Sequence, residues 1–93
     1  NTETMLVNAL PVSVVLTLSP SDWTLDSGLY KQDAIVTNMS ATKNVIVQPD
    51  TESMTDYSAS EIRCVAQSAN TLSFTAITKP KESIVVNVLH MGV

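Results

Sequence analysis

The chain closes on Ser83-Ile84-Val85-Val86-Asn87-Val88-Leu89-His90-Met91-Gly92, and this run decides the fold class. β-branched residues dominate it, and their restricted side chains suit a pleated strand better than a helix. It is too short to cross a bilayer, which takes about 18–20 apolar residues. Lys79-Pro80-Lys81 supplies a turn just before it. Ile84, Val86 and Val88 fall on one face of the strand, Val85 and Leu89 on the other. A strand apolar on both faces is covered on both faces. The second cover is either the other layer of a two-layer core or a neighbouring subunit; the sequence leaves both open.

Upstream, the same alternation recurs. Val12 to Leu18 sets Val12, Val14, Leu16 and Leu18 against Ser13, Val15 and Thr17, and Ser19-Pro20-Ser21-Asp22 ends the run. After a turn at Asp26-Ser27-Gly28, Tyr30 to Thr37 reads as a strand with Tyr30, Gln32, Ala34 and Val36 on one face. Asn38 to Thr42 reads as a small polar loop. Asn44 to Gln48 is a short strand with Ile46 opposed to Val45 and Val47. Pro49-Asp50 breaks the pattern, and Thr51 to Glu61 is the one helix-like stretch. Ile62 to Gln67 and Thr71 to Ile77 read as a hairpin around Ser68-Ala69-Asn70, with Ile62, Cys64 and Ala66 in register. These runs predict an all-β fold: a small antiparallel β-sandwich or open barrel of five to seven strands with one short helical turn. Residues 11–93 are expected to form a single β-sandwich domain. Residues 1–10, with Met5, Leu6 and Val7 as their apolar patch, are expected to be a linker or an N-terminal edge strand.

Composition narrows the function. Ninety-three residues make one domain with a thin stability margin. A single cysteine, Cys64, allows no intrachain disulfide and no cysteine-based metal site. That suits a reducing compartment, or a particle assembled inside a cell. The net charge is −4, and Lys31, Lys43, Arg63, Lys79 and Lys81 are scattered. A phosphate backbone demands clustered bases, so no nucleic-acid partner is expected. No stretch is long and apolar enough to span a membrane as a helix, and no membrane partner is expected. A start at Asn1 without a basic, then apolar, leader is read as a fragment or processed product with no visible signal peptide.

Few residues offer chemistry. His90, the only histidine, lies in the final strand, where a surface or interface role is expected rather than acid–base work, which needs partners within hydrogen-bond reach. Cys64 sits between Ile62 and Ala66, with Arg63 on the opposite side of the strand. It reads as a small buried hydrophobe rather than a reactive thiolate. Asp50, Glu52 and Asp56 hint at a calcium loop. An EF-hand counted from Asp50 needs glycine at the sixth position, and Thr55 is there instead. Asp22 and Asp26 read likewise as solvated loop acids. Gly28 and Gly92 are the only glycines, so no phosphate-binding loop exists. Asn38-Met39-Ser40 matches a glycosylation sequon, a motif common by chance. Trp23, Tyr30 and Tyr57 serve either as packing anchors or as loop contacts for a sugar or a protein. No catalytic, cofactor-binding or metal site, no cofactor and no enzyme activity is therefore expected.

The order of several short blocks carries a resemblance. They are Pro20-Ser21-Asp22-Trp23, Tyr30-Lys31-Gln32-Asp33-Ala34-Ile35-Val36, Asn44-Val45-Ile46-Val47-Gln48-Pro49, Tyr57, Ile62-Arg63-Cys64-Val65-Ala66-Gln67, Leu72-Ser73-Phe74-Thr75, Lys79-Pro80 and Val85-Val86-Asn87-Val88. From about Leu18 to Gly92 the chain resembles a small β-domain of tail-fibre, baseplate and other appendage proteins in phages and prophages of Gram-positive bacteria. Asn70 stands where that family has a turn glycine, Asn38 lies near the place of another, and Ala76 replaces a cysteine-like position. The family has no catalytic motif to carry over. The resemblance implies a virion structural protein assembled in the bacterial cytoplasm, a homo-oligomer (a trimer) contacting other virion proteins and host-surface glycan. Trp23 and Tyr57 would then be the first glycan contacts to test. The rival reading is an Ig-like adhesion or spacer module of a bacterial surface protein, monomeric and in tandem with similar domains. A small enzyme fails on the inventory of reactive side chains.

Overall fold

β7 (Ile84–Met91) lies in the middle of a three-stranded antiparallel sheet, with β1 (Pro11–Leu18) on one side and β4 (Val45–Pro49) on the other. Opposite it stands a four-stranded antiparallel sheet in the order β2 (Thr24–Asp26), β3 (Leu29–Ile35), β6 (Thr71–Ala76), β5 (Arg63–Ser68). The computed structural model describes residues 11–91, and over them the protein is a small β-sandwich. The predicted linker or edge strand over residues 1–10 lies outside the described residues.

The core follows the period of two. Ile84, Val86 and Val88 point inward from β7 and pair with Leu18, Leu16 and Val14 of β1. Leu72, Phe74 and Ala76 point inward from β6 against Ala34, Gln32 and Tyr30 of β3. Between them sit Trp23, Val36, Met39 and Ile62. The buried face of β1 fades toward its start, where Val12 is exposed, contrary to the expectation of burial along the whole face.

The turns show why each strand stops. Ser27 and Gly28 both take positive φ (55° and 86°), as the two-residue β2–β3 hairpin demands. Asn70 (φ 63°) does the same service in the β5–β6 hairpin, and Asn38 (φ 63°) after β3. Asparagine tolerates this left-handed region better than most residues. Pro49 ends β4 because it has no N–H for the ladder.

The helix-like stretch is a 3₁₀ turn at Thr51–Ser53 running into α1 (Met54–Ala59). The Asp50 carboxylate accepts from Glu52 N–H at 3.4 Å, so this acid caps the turn. At the far end Glu61 N–H donates to Ser58 C=O at 3.1 Å and Ile62 N–H to Tyr57 C=O at 3.1 Å, a Schellman closure. It places Glu61 at φ 51°, a left-handed position that favours glycine. Glu61→Gly is therefore expected to stabilise the domain by about 0.5–1 kcal/mol, a rise of several degrees in Tm. A thermal melt showing a fall would contradict it.

Three sequence expectations change. Met39, assigned to a polar loop, is fully buried. Val36 N–H donates to Asn70 C=O and Asn70 N–H donates to Met39 C=O, so the hairpin tip pins the turn and drives Met39 into the core. Ala66 does not share a face with Cys64. Cys64 pairs with Phe74 and Ala66 with Ser73, so Val65 is a bulge that inserts one residue and reverses the alternation. His90, expected at the surface or at an interface, is 1 % exposed in the core, because it continues the inward parity of Ile84, Val86 and Val88.

Candidate functional site

β4 and β5 are the edges of their sheets on the same side of the sandwich, and a groove of about 620 Å³ runs between them. Val45 and Val47 supply one wall from β4; Cys64, Val65 and Gln67 supply the other from β5. Tyr57 of α1 closes an end, and Ile62 and Leu72 form the floor. The local sequence explains this layout. Val45 and Val47 alternate with Ile46, so both half-buried valines face the four-stranded sheet while Ile46 faces out. The Schellman turn carries Ile62 straight from α1 into β5. The bulge at Val65 then restores Gln67 to the inner side, opposite Leu72.

Gln67 has a defined task. Its Nε2 donates to Ser40 C=O at 2.6 Å and to Lys43 C=O at 2.9 Å, tying the β3–β4 connection to β5 and fixing one end of the groove. The Cys64 thiol is half-buried and leans on Ala66 C=O at 3.9 Å. Desolvation raises its pKa above the ordinary thiol value, and the carbonyl only partly offsets that. Desolvation also raises the Tyr57 hydroxyl, with a smaller push from the nearby Cys64 thiolate. At neutral pH both groups keep their protons, so the groove offers aliphatic side chains with a neutral phenol and thiol, and Arg63 as the one charged side chain among its lining residues.

The sign of the pH dependence follows. Both groups hold their protons to higher pH in the folded domain than in the unfolded chain. Their contribution is complete below the ordinary thiol pKa of 9.0 and is lost as pH rises through the raised values. The melting temperature is expected to hold up to about pH 9 and to fall above it, less steeply in Cys64→Ala. A melting temperature that climbed with pH over that range would contradict this account.

The other candidates are dispersed. Compared with protein-family models, curated proteins and solved structures, the chain shows no match. Its chemistry therefore rests on the placement of its own residues. His90 is buried in the core under the three-stranded sheet, opposite Val45 of β4 and not itself among the residues that line the groove. Asp50 caps the 3₁₀ turn and accepts from Asn87 Nδ2 at 3.4 Å. Asp26 is held below the usual carboxylate range by hydrogen bonds from Lys31 and Ser27, and its ion pair with Lys31 at 3.1 Å is exposed at both ends. Such pairs stabilise little. Among the described residues no three His, Cys, Asp or Glu side chains converge as a metal-holding group. Trp23 and Tyr57, paired in the glycan expectation, are separated: Trp23 is 4 % exposed in the core, and only Tyr57 reaches the groove. Sequence reasoning flagged Tyr57 and Cys64 singly. Their meeting with β4 depends on strand order, which no local signal in the chain encodes.

Proposed function

We propose that this domain is a structural module of a phage virion appendage, such as a tail fibre or baseplate, held in an oligomer and in contact with other virion proteins. The observation that carries the reading is how the reactive side chains are used. His90 fills core space, Cys64 is a desolvated neutral thiol, and Asp50 and Ser53 hold the ladder at the end of β4. With these groups committed to packing and backbone hydrogen bonds, the domain is read as a scaffold that presents surface. The resemblance in block order from about Leu18 to Gly92 supports the same reading. Any host-glycan contact falls to Tyr57 at the groove, since Trp23 is packed away.

The Ig-like spacer shares the division into sheets of three and four strands. Its strand order differs: there the last strand edges the three-stranded sheet, whereas β7 is central here. The test is immunogold labelling with antibodies to the domain, applied to particles pelleted from lysates of the source strain and to its intact cells. Label at discrete positions on particles is expected. Label confined to the cell envelope would replace the appendage with the surface spacer.

A further inference from the structure

The two strands that flank the groove differ in their readiness to pair. β5 carries the Val65 bulge and the charge of Arg63, two devices that keep a sheet edge from taking another strand. β4 has neither. Val45 to Gln48 is regular and uncharged, and β4 pairs with β7 alone among the described strands. An edge of that kind accepts an extended segment. Val45 and Val47 of β4 already line the groove, so a segment beside β4 also fills it. Arg63 is the one charged residue along the groove.

We propose that residues 1–10 of this chain, which lie outside the described residues, supply that segment, with residues 2–6 antiparallel to β4 in the groove. Direction, reach and side-chain order select this occupant. β1 and β4 are both antiparallel to β7, so they run the same way, and Val12, His90 and Val45 form one row across the sheet. The chain therefore enters β1 at the end where β4 starts. A segment that lies beyond β4 and then crosses to Pro11 runs against β4, which is the antiparallel sense.

The crossing is three strand spacings, about 14 Å. With Met5 level with Val45, the six steps from Met5 to Pro11 reach up to about 20 Å, enough to round the end of the sheet. In that register Met5 shares the inward face of Val45, and Glu3 that of Val47. Met5 then packs against the aliphatic wall. Glu3, the only charged residue among residues 1–10, comes to the only charged residue of the groove. A slip of one residue would turn Met5 to water and take Glu3 from Arg63. Asp50, the acid at the end of β4, is held by Asn87 on the outer side of the sheet. An exposed ion pair holds little by itself. The covalent connection to β1 supplies the rest, since a short tether keeps the segment at an effective concentration of about millimolar, which no free partner matches. The groove is thus closed by the chain's own eighth strand. The inference stands apart from the appendage reading.

The test uses the 93-residue chain with labelled methyl groups, together with the rate at which Cys64 reacts with an aromatic disulfide reagent at neutral pH. Nuclear Overhauser contacts are expected from the Met5 methyl to Val45 and Val47 within one chain. Met5→Asp is expected to speed the thiol reaction about tenfold or more by forcing a charge out of the groove. Thr4→Asp adds the same charge on the outward side and is expected to leave the rate unchanged. Glu3→Arg is expected to speed the reaction about threefold, and Arg63→Glu in the same chain to restore the slow rate. Met5 contacts to Val15 or Leu89 would place the segment on the outer face of the three-stranded sheet and overturn the inference. Contacts found only between differently labelled copies would overturn it in favour of a neighbouring chain. A thiol rate indifferent to Met5→Asp would overturn it outright. None of these results touches where immunogold labels the particle, so the two proposals fail separately.

Discussion

Phe74→Ala is expected to lower the stability of the domain by about 3–5 kcal/mol. Phe74 is the only phenylalanine and among the largest fully buried side chains. It points inward from β6, one of the two inner strands of the four-stranded sheet, with Gln32 opposite on β3 and Cys64 opposite on β5. Truncation removes its transfer free energy and leaves a cavity that two hydrogen-bonded neighbours keep from collapsing. Domains of this size hold only about 5–14 kcal/mol in total. About a fifth of the margin disappears at the least, and most or all of it at the lower end. The measurement is a urea melt: the midpoint falls sharply while the slope stays constant. Leu25→Ala, exposed on the three-residue edge strand β2, should move the midpoint by no more than about 0.5 kcal/mol equivalent. Similar shifts for the two variants would show that the core is not centred where the structure puts it.

Ser53→Ala removes one oxygen and is expected to cost about 1–3 kcal/mol. β4 stops at Pro49, paired with Val86, and the next position on β7 must find other partners. Val85 C=O accepts from Asp50 N–H at 2.8 Å, which extends the ladder by one bond. Val85 N–H donates to Ser53 Oγ at 2.9 Å, so a side chain from the 3₁₀ turn stands in for a strand. Ser53 is buried, and its loss strands a backbone donor away from water. Hydrogen exchange gives the specific reading: the Val85 amide, slow in the parent protein, is expected to exchange much faster in the variant. Ser58→Ala, on the exposed side of α1, should change neither value appreciably. An unaltered Val85 exchange rate would mean that the serine does not complete the ladder.

The strands that sequence shows best are those whose alternation is strict and whose turns carry proline or asparagine: β1, β3, β6 and β7. The short helical segment is also legible, between Pro49-Asp50 and Ile62. Three residues are too few to show a period, so β2 stayed hidden behind the Ser27-Gly28 turn. The Val65 bulge was invisible because a single inserted residue leaves no compositional mark. Ala66 was consequently assigned to the wrong face. The burial of Met39 depends on a backbone clamp from Asn70, far along the chain. His90 is a different case, since its parity with Ile84, Val86 and Val88 was in plain view. A histidine near the end of a strand suggests a surface or an interface, but the period of two carries His90 into the core. For the groove, the side chains were visible but the neighbourhood was not. β4 and β5 flank one opening only because each lies at the edge of a different sheet.

The last of the described strands is the middle of its sheet. β1 pairs with β7 and with no other described strand. During synthesis, at about 5–20 residues per second, β1 waits several seconds before the segment that completes it leaves the ribosome. Through that interval its valines and leucines stand without a partner while the β2–β3 and β5–β6 hairpins already have theirs. Folding that depends on joining the two ends of the chain is slow by nature. A nascent chain stalled before Ile84 would leave β1 without its β7 partner, so translation speed and chaperone access join final stability in setting the yield of this protein in a cell.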